Sequence, residues 1–268
     1  MAVAPHTLIT IRFSHYNEKA RWALDRVGIP YRERPFMPMF HIPAVAFATR
    51  GTGRADHSST RFSTPVLVTA SGDVLADSTA IAQFADRHAE PNARLFGDPE
   101  AERWAKRFDE ELFVHTRRVV YHHILPATSV ILEIARRNTG RWQYWLGRLT
   151  VPAIRPLMSR LMRISPASVA RSLARVETVV ADVEQLLSDG RPYLVGDTFS
   201  IADLNFATGL SPFLWLSESE GYGARMPAAA EVSTAFDAFV RSFRERPAGE
   251  LVLRMFAAER GRRVLPAP

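Results

Sequence analysis

Two hydrophobic periods alternate along the first part of the chain, and one takes over after it. Residues 7–13 (TLITIRF) are β-branched and apolar and predict a strand. Residues 17–27 (NEKARWALDRV) set Ala20, Ala23, Leu24 and Val27 at helical spacing before Gly28, a residue suited to ending a helix. Residues 31–36 (YRERPF) predict a second strand that Pro35 ends or confines to an edge. Residues 37–63 show no period, and RGTGRADHSST within them reads as an irregular loop. Two apolar runs, 66–69 and 74–76, flank a Ser-Gly-Asp turn and predict a hairpin. A helix is expected from Ser78, with Ile81, Phe84, Ala85 and His88 on one face. The order β-α-β-loop-β-β-α describes a small α/β domain with a mixed sheet over residues 1–88.

After a linker at 89–99 (AEPNARLFGDP) only the helical period remains. Residues 100–125 read as one long helix stopped by Pro126, and 127–137 as another stopped by Asn-Thr-Gly. Pro152, Pro156 and Pro166 are expected to break the next region into short helices. A further helix covers 168–187. Ser200 followed by Asp203 approximates a capping box, with Phe199 and Leu204 placed for a hydrophobic staple. A last helix at 232–246 precedes a basic tail that is expected to fray. The expected second domain is therefore all-helical over 100–268, with an insertion near 139–166.

Composition narrows the chemistry. The chain has 268 residues, 47% of them hydrophobic, and no cysteine. Disulfides, thiolate metal sites, a cysteine nucleophile and dithiol redox chemistry are thereby excluded, so any thiol chemistry needs a thiol from outside. No apolar run approaches the ~18 residues needed to cross a bilayer, and the N-terminal residues lack a signal-peptide pattern. The expectation is a soluble, cytoplasmic protein. The net charge is +6, and its distribution is uneven: no acidic residue lies between Glu133 and Glu177, a segment that carries nine arginines. Such a stripe reads first as a solvated helical face, and second as a contact for an anionic membrane surface or acidic partner. No nucleic-acid partner is expected.

Four stretches together resemble the soluble glutathione S-transferase superfamily: FSHYNEKARWAL (13–24), STPVLV with Pro65, LADSTAIAQF with Asp77 and Ser78, and YLVGDTFSIADL. The resemblance implies a thioredoxin-like N-terminal domain with a four-stranded mixed sheet, followed by an all-α domain. It also implies glutathione, or another small thiol, as co-substrate with no tightly bound cofactor, a small apolar electrophile, and a homodimer. The fold hosts transferases, isomerases, dehalogenases and proteins without detected catalysis, so it does not settle the reaction.

The residues carry their own argument. A free thiol of the cysteine type has a pKa near ~8.5, so a site that uses it as nucleophile must stabilise the anion. A hydroxyl at a helix N-terminus adds a hydrogen bond to the positive end of the helix dipole. Ser14 stands at such a junction. By resemblance it takes the thiolate-stabilising role, with Tyr16 the alternative hydroxyl and His15 or Asn17 assisting; Ser14 and Asn17 would serve equally as plain helix caps. Asp77 and Ser78 open a helix, a ready receptor for a carboxylate. The resemblance gives Ser78 the γ-glutamyl carboxylate and Asp77 the ammonium, whereas the same Ser would also make an ordinary cap. Thr64-Pro65 resembles the family's cis-proline turn, which would leave Thr64's backbone free to pair with the cysteinyl part of glutathione.

The long 37–63 connection departs from the family pattern in the region that contacts the glycyl end of the ligand, where Arg54, His57 or Arg61 are the candidates. The 139–166 insertion is expected either to lid the electrophile pocket or to remake the dimer surface. Phe113, Arg117 and Tyr121, with Val130 on the following helix, have the spacing and mixed character of the pocket wall. His115, His122 and His123 lack a carboxylate at ligand spacing, so no metal is expected. Gly51 to Gly53 lacks the strand-loop-helix context of a dinucleotide loop. The leading expectation is thiol transfer from glutathione to an electrophile. A non-catalytic binding protein, or a thiol-dependent isomerase or peroxidase, are the alternatives on the same scaffold.

Overall fold

The computed structural model describes residues 5–50, 62–261 and 263. Its first unit is a four-stranded sheet built from β1 (His6–Thr10), β2 (Tyr31–Pro35), β3 (Val66–Val68) and β4 (Val74–Leu75). The spatial order is β2-β1-β3-β4. β1 runs parallel to β2 through the crossover helix α1 (His15–Arg26) and antiparallel to β3, so the sheet is mixed as the pattern predicts. Leu8 sits between Glu33 of β2 and Leu67 of β3. The predicted first strand is too long: pairing ends at Thr10, and residues 11–13 turn toward α1, with the Ser14 N–H donating to the Ile11 carbonyl. The expected irregular stretch contains a short helix, α2 (Ile42–Ala48), with Pro43 in its first turn. The helix after the hairpin, α3 (Ser78–Asp86), packs on α1.

All elements beyond the linker are helical among the described residues: α4 (Pro99–Glu111), α5 (Phe113–Ile124), α6 (Thr128–Asn138), α7 (Arg141–Leu161), α8 (Pro166–Leu187), α9 (Ile201–Leu214), α10 (Ala229–Val232), α11 (Thr234–Arg244) and α12 (Pro247–Glu259). Three expectations need correction. The single helix at 100–125 is two, interrupted at Leu112, where Gly209 of α9 comes close. A Cβ on Gly209 would meet Leu112 Cδ2 at 2.8 Å. Of the three prolines expected to break the arginine-rich region, only Pro166 marks a boundary, as the first residue of α8, and Pro152 and Pro156 both lie inside the 21-residue α7. Both prolines sit four apart on its exposed face, as does Arg148, so the carbonyls they leave unbonded face water and the helix continues. Finally, the expected 232–246 helix is split at Ser233, and the frayed tail is the well-packed helix α12, with Leu251, Val252, Met255 and Phe256 buried.

α9 is the axis of the helical part. Every residue of Ile201–Leu214 except Pro212 is buried. Its start is fixed as predicted by Ser200 and Asp203: the Asp203 carboxylate accepts from the Ser200 N–H and hydroxyl at 2.9 and 2.8 Å, and from the Leu194 N–H at 2.8 Å.

α1 joins the two parts and is buried over most of its length, charged residues included. Lys19 Nζ donates to both Asp109 carboxylate oxygens at 3.0 Å and to Thr79 Oγ1 at 2.7 Å, which ties α1 to α3 and α4. Glu18 is met by Arg21 and, at 2.8 Å, by Arg260; Arg260 also reaches Asp25 at 2.8 Å. Arg21 in turn bonds Glu33 of β2 at 2.9 Å, and Glu33 also holds Arg12 and Arg263. A buried charge that loses its partner costs far more than a surface pair contributes. Replacing Arg260 by Gln strands the buried Asp25 carboxylate and leaves Glu18 with Arg21 alone, and is expected to lower unfolding free energy by about 3–5 kcal/mol in urea titrations.

Burial alone would raise the Glu33 carboxyl, but Arg21 and Arg12 overcome it and hold the group at about 2. The folded value lies below the unfolded one, so this stabilisation is present above roughly pH 4.3 and is lost as pH falls through about 2. Melting temperatures measured over that interval should fall more steeply with acid for the wild type than for Glu33→Gln.

Candidate functional site

The start of α1 opens on a hollow between the sheet unit and the helical part. Ser14 is the residue before the first helical turn, in extended conformation, and its side chain makes no capping hydrogen bond. Its carbonyl accepts the N–H groups of Asn17 and Glu18 at 3.0 Å each. The N–H groups of His15 and Tyr16 come before the helix ladder and have no carbonyl within the helix to donate to. Ser14 lines the hollow with Phe13, Arg117, Tyr121, Trp215 and Tyr222. A free hydroxyl, a helix start and a guanidinium therefore face one space.

Tyr16 lies beside this space but not in its lining. Its ring packs between His15 and Phe113, at 4.5 and 4.9 Å between centroids, with the Arg117 guanidinium 5.6 Å over its face. Burial raises the phenol pKa in spite of Arg117, so the group stays protonated. His15 Nε2 donates to the Phe113 carbonyl at 3.0 Å. Burial, then the Arg117 charge, push the imidazole down to about 3, against a smaller upward effect of that hydrogen bond. Its neutral form therefore prevails at physiological pH, and nuclear magnetic resonance should find no titration of the His15 ring between pH 5 and 8. Asn17 is buried and donates from Nδ2 to Thr64 Oγ1 at 3.2 Å, which makes it a tie between α1 and the proline turn and neither a cap nor a lining group.

The Thr64–Pro65 bond is cis. No hydrogen bond from a described residue reaches the Thr64 main chain, so its N–H and C=O remain open for pairing. Asp77, rather than Ser78, caps α3: one carboxylate oxygen accepts from the Thr79 and Ala80 N–H groups at 2.8 and 3.1 Å. Ser78 follows as the first helical residue and is buried. α1 brings these pieces together, through Asn17 to Thr64 and through Lys19 to Thr79, the neighbour of Ser78.

Of the expected pocket wall, Arg117 and Tyr121 line the hollow. Arg117 Nε is buried without a hydrogen-bond partner. Burial raises the Tyr121 phenol to about 12. Phe113 is fully buried beneath the wall, against His15 and Tyr16, and Val130 belongs to the core. Phe13, Tyr121 and Ile124 border a second, almost wholly apolar hollow that the sequence reading missed. Met37 and Phe40 close it from the sheet side, and Gly147, Val151, Ile154 and Met158 of α7 roof it. Gln143, buried at the start of α7, fastens this roof. Its Oε1 accepts the Met37 N–H at 2.8 Å and its Nε2 donates to the Pro35 carbonyl at 3.0 Å. These residues were hidden because the prolines suggested that α7 was broken. Within the 139–166 insertion, α7 thus covers this apolar hollow. Arg54, His57 and Arg61, and Gly51 to Gly53, lie outside the described residues. His115 Nδ1 is within hydrogen-bond distance of Ser172 Oγ at 3.0 Å, and His123 packs on Phe236 and Phe239.

Comparison with known proteins agrees with this geometry. Family models described as glutathione S-transferase, N-terminal domain, and glutathione S-transferase, C-terminal domain, match residues 13–88 and 166–220. The chain belongs to the soluble glutathione S-transferase superfamily. Among solved structures it is similar to the glutathione transferase GSTFuA3 from Phanerochaete chrysosporium, with 18% identity, a TM-score of 0.61, and 96% of this chain and 98% of that one covered. The beta-etherase LigF from Sphingobium sp. strain SYK-6 shares 17% identity at a TM-score of 0.56, covering 94% and 99%. Glutathione S-transferase I from maize, in complex with an atrazine glutathione conjugate, shares 17% identity at a TM-score of 0.52, covering 95% and 99%. No curated protein matches the chain by sequence. α6 and α7 fall between the two matched segments.

Proposed function

We propose that the protein binds glutathione against the sheet unit and activates its thiol for attack on a small apolar electrophile held between the two parts. The observation that carries this reading is Ser14: its hydroxyl is not used as a cap, and it shares a hollow with Arg117 at the start of α1. The Thr64 main chain would pair with the cysteinyl part of glutathione. Ser78 and the α3 N-terminus would take the γ-glutamyl carboxylate, and the outer oxygen of Asp77 the ammonium. The thiol proton leaves to water, and the sulfur anion accepts hydrogen bonds from Ser14 and the first helical N–H groups. Sulfur then forms a bond to the electrophilic carbon as the leaving group departs with its electron pair. Preorganised donors of this kind contribute about 10²–10³ in rate each.

The test is a titration of the purified protein with glutathione, following affinity and thiolate absorbance together. The wild type should bind and lower the thiol pKa. Ser14→Ala should bind within about threefold of wild type while losing the thiolate signal and about 10²–10³ in kcat/KM toward a model electrophile. Binding without thiolate formation in the wild type would favour the non-catalytic alternative, and unchanged thiolate in Ser14→Ala would remove Ser14 from the mechanism.

Each of the two hollows is only ≈ 40 Å³. That is room for a few atoms, so an electrophile of ordinary size needs the α7 roof to move outward. Gln143→Ala, which unfastens that roof, should raise kcat/KM for bulky electrophiles relative to compact ones in a substrate series.

A further inference from the structure

The outer face of α7 is unlike any other surface described here. Among the described residues, the exposed large apolar ones are Phe47 on α2 and Trp142, Trp145, Leu146, Leu149, Leu157 and Leu161, all six of the latter on α7. Trp142, Leu146, Leu149, Ala153 and Leu157 follow steps of four, three, four and four and so form one stripe along the helix. Leu149 is 80% exposed and the two tryptophans more than half, which is the opposite of what a core-facing stripe would show. The buried face of the same helix is accounted for, since Gln143, Gly147 and Val151 point inward. Continuous exposed apolar surface of this kind marks an interaction site.

The charge around the stripe says what covers it. Arg141 and Arg148 stand seven residues apart along one flank and Arg160 and Arg163 at the C-terminal end, while Arg155, next in the series, turns inward to bond Thr128. None of the five has an acidic partner among the described residues, and no acidic residue occurs from 134 to 176. The Arg148 guanidinium lies 5.3 Å over the Trp145 ring, so cation and aromatic are presented together. A second copy of this chain in a twofold contact would set the same arginines against each other across the apolar stripe. An acidic layer with an apolar interior satisfies both features at once. Helices with Trp and Leu on one side and Arg beside them lie in the plane of such a surface, with the aromatic rings at the headgroup level. The helix is too polar to cross: no described helix is long and apolar enough to span a membrane.

We propose that the outer face of α7, centred on Leu149 and the two tryptophans, docks the protein on an anionic lipid bilayer. The inference stands apart from the thiol chemistry, because it uses none of the residues assigned to glutathione. It sets the bilayer against the helix whose other face roofs the apolar hollow.

The test uses the full-length protein and vesicles of phosphatidylcholine, with or without about 30% phosphatidylglycerol. In low salt the wild type should co-sediment with the anionic vesicles at least about tenfold more than with neutral ones, with a blue shift of tryptophan emission, and high salt should reverse it. Leu149→Glu should cut binding about tenfold or more and Leu149→Phe should retain it; both are at an exposed position and should keep the wild-type circular dichroism. The paired change Arg141→Glu with Arg148→Glu should abolish the preference for anionic lipid. Absence of vesicle binding at low salt, or binding indifferent to Leu149→Glu, would overturn the proposal. So would sedimentation showing that Leu149→Glu splits an oligomer while vesicles stay unbound, or capture of a single-stranded oligonucleotide in place of lipid.

Discussion

A helix that is buried and charged at once is the constraint on which this fold rests. Glu18, Lys19, Arg21 and Asp25 of α1 all lie out of solvent, and an ion without a partner there is far costlier than an apolar residue. Each therefore dictates a neighbour. Lys19 requires Asp109 from the helical part, Arg21 requires Glu33 from the parallel strand, and Glu18 and Asp25 require Arg260 from beyond α12. Apolar burial gives the two parts their cohesion, with Trp22 stacked on Phe199 and edge-on to Phe256. The ion pairs specify which surfaces meet. The candidate site is one result, because the helix they hold rigid presents Ser14 to the hollow at its other end.

Much of this was legible along the chain, for reasons that differ by element. The hairpin, α3 and the capped start of α9 announce themselves through local signals: a Ser-Gly-Asp turn, a helical period from Ser78, a Ser-x-x-Asp box. Local signals of that kind survive in any tertiary context. The place of Ser14 was legible too, because the strand pattern stops just before it and the helical period begins just after it. Asn17 was not, since its partner Thr64 is distant in sequence and only the folded turn brings the two together. The split at Leu112 depends on a glycine in another helix, and α12 depends on a groove made by α8, α9 and α11. Neither dependence is written in the local period.

The α7 segment shows how a strong local rule yields to position. Proline disfavours helix interiors because it removes one hydrogen bond and crowds the preceding turn. In a helix packed on all sides the bare carbonyls would be costly, but on an exposed face water takes them. The same exposure leaves the tryptophans and leucines of that face in solvent. Reading the prolines as breaks therefore concealed both the roof over the apolar hollow and the surface above it.

The contacts of Glu259, Arg260 and Arg263 carry a consequence for how the chain is made. The Trp22 indole donates to the Glu259 carbonyl, Arg26 pairs with Glu259, and Arg260 and Arg263 complete the charges of α1 and β2. During synthesis the first α/β unit emerges early, as domains built from contiguous sequence usually do. Its central helix and second strand nevertheless wait for cations that follow them by 242 and 230 residues. Until then Glu18 and Asp25 face an unfinished interior, and the nascent unit stays short of its final stability. A premature stop anywhere within α12 would thus be felt far back along the chain, in the helix that begins at the candidate site.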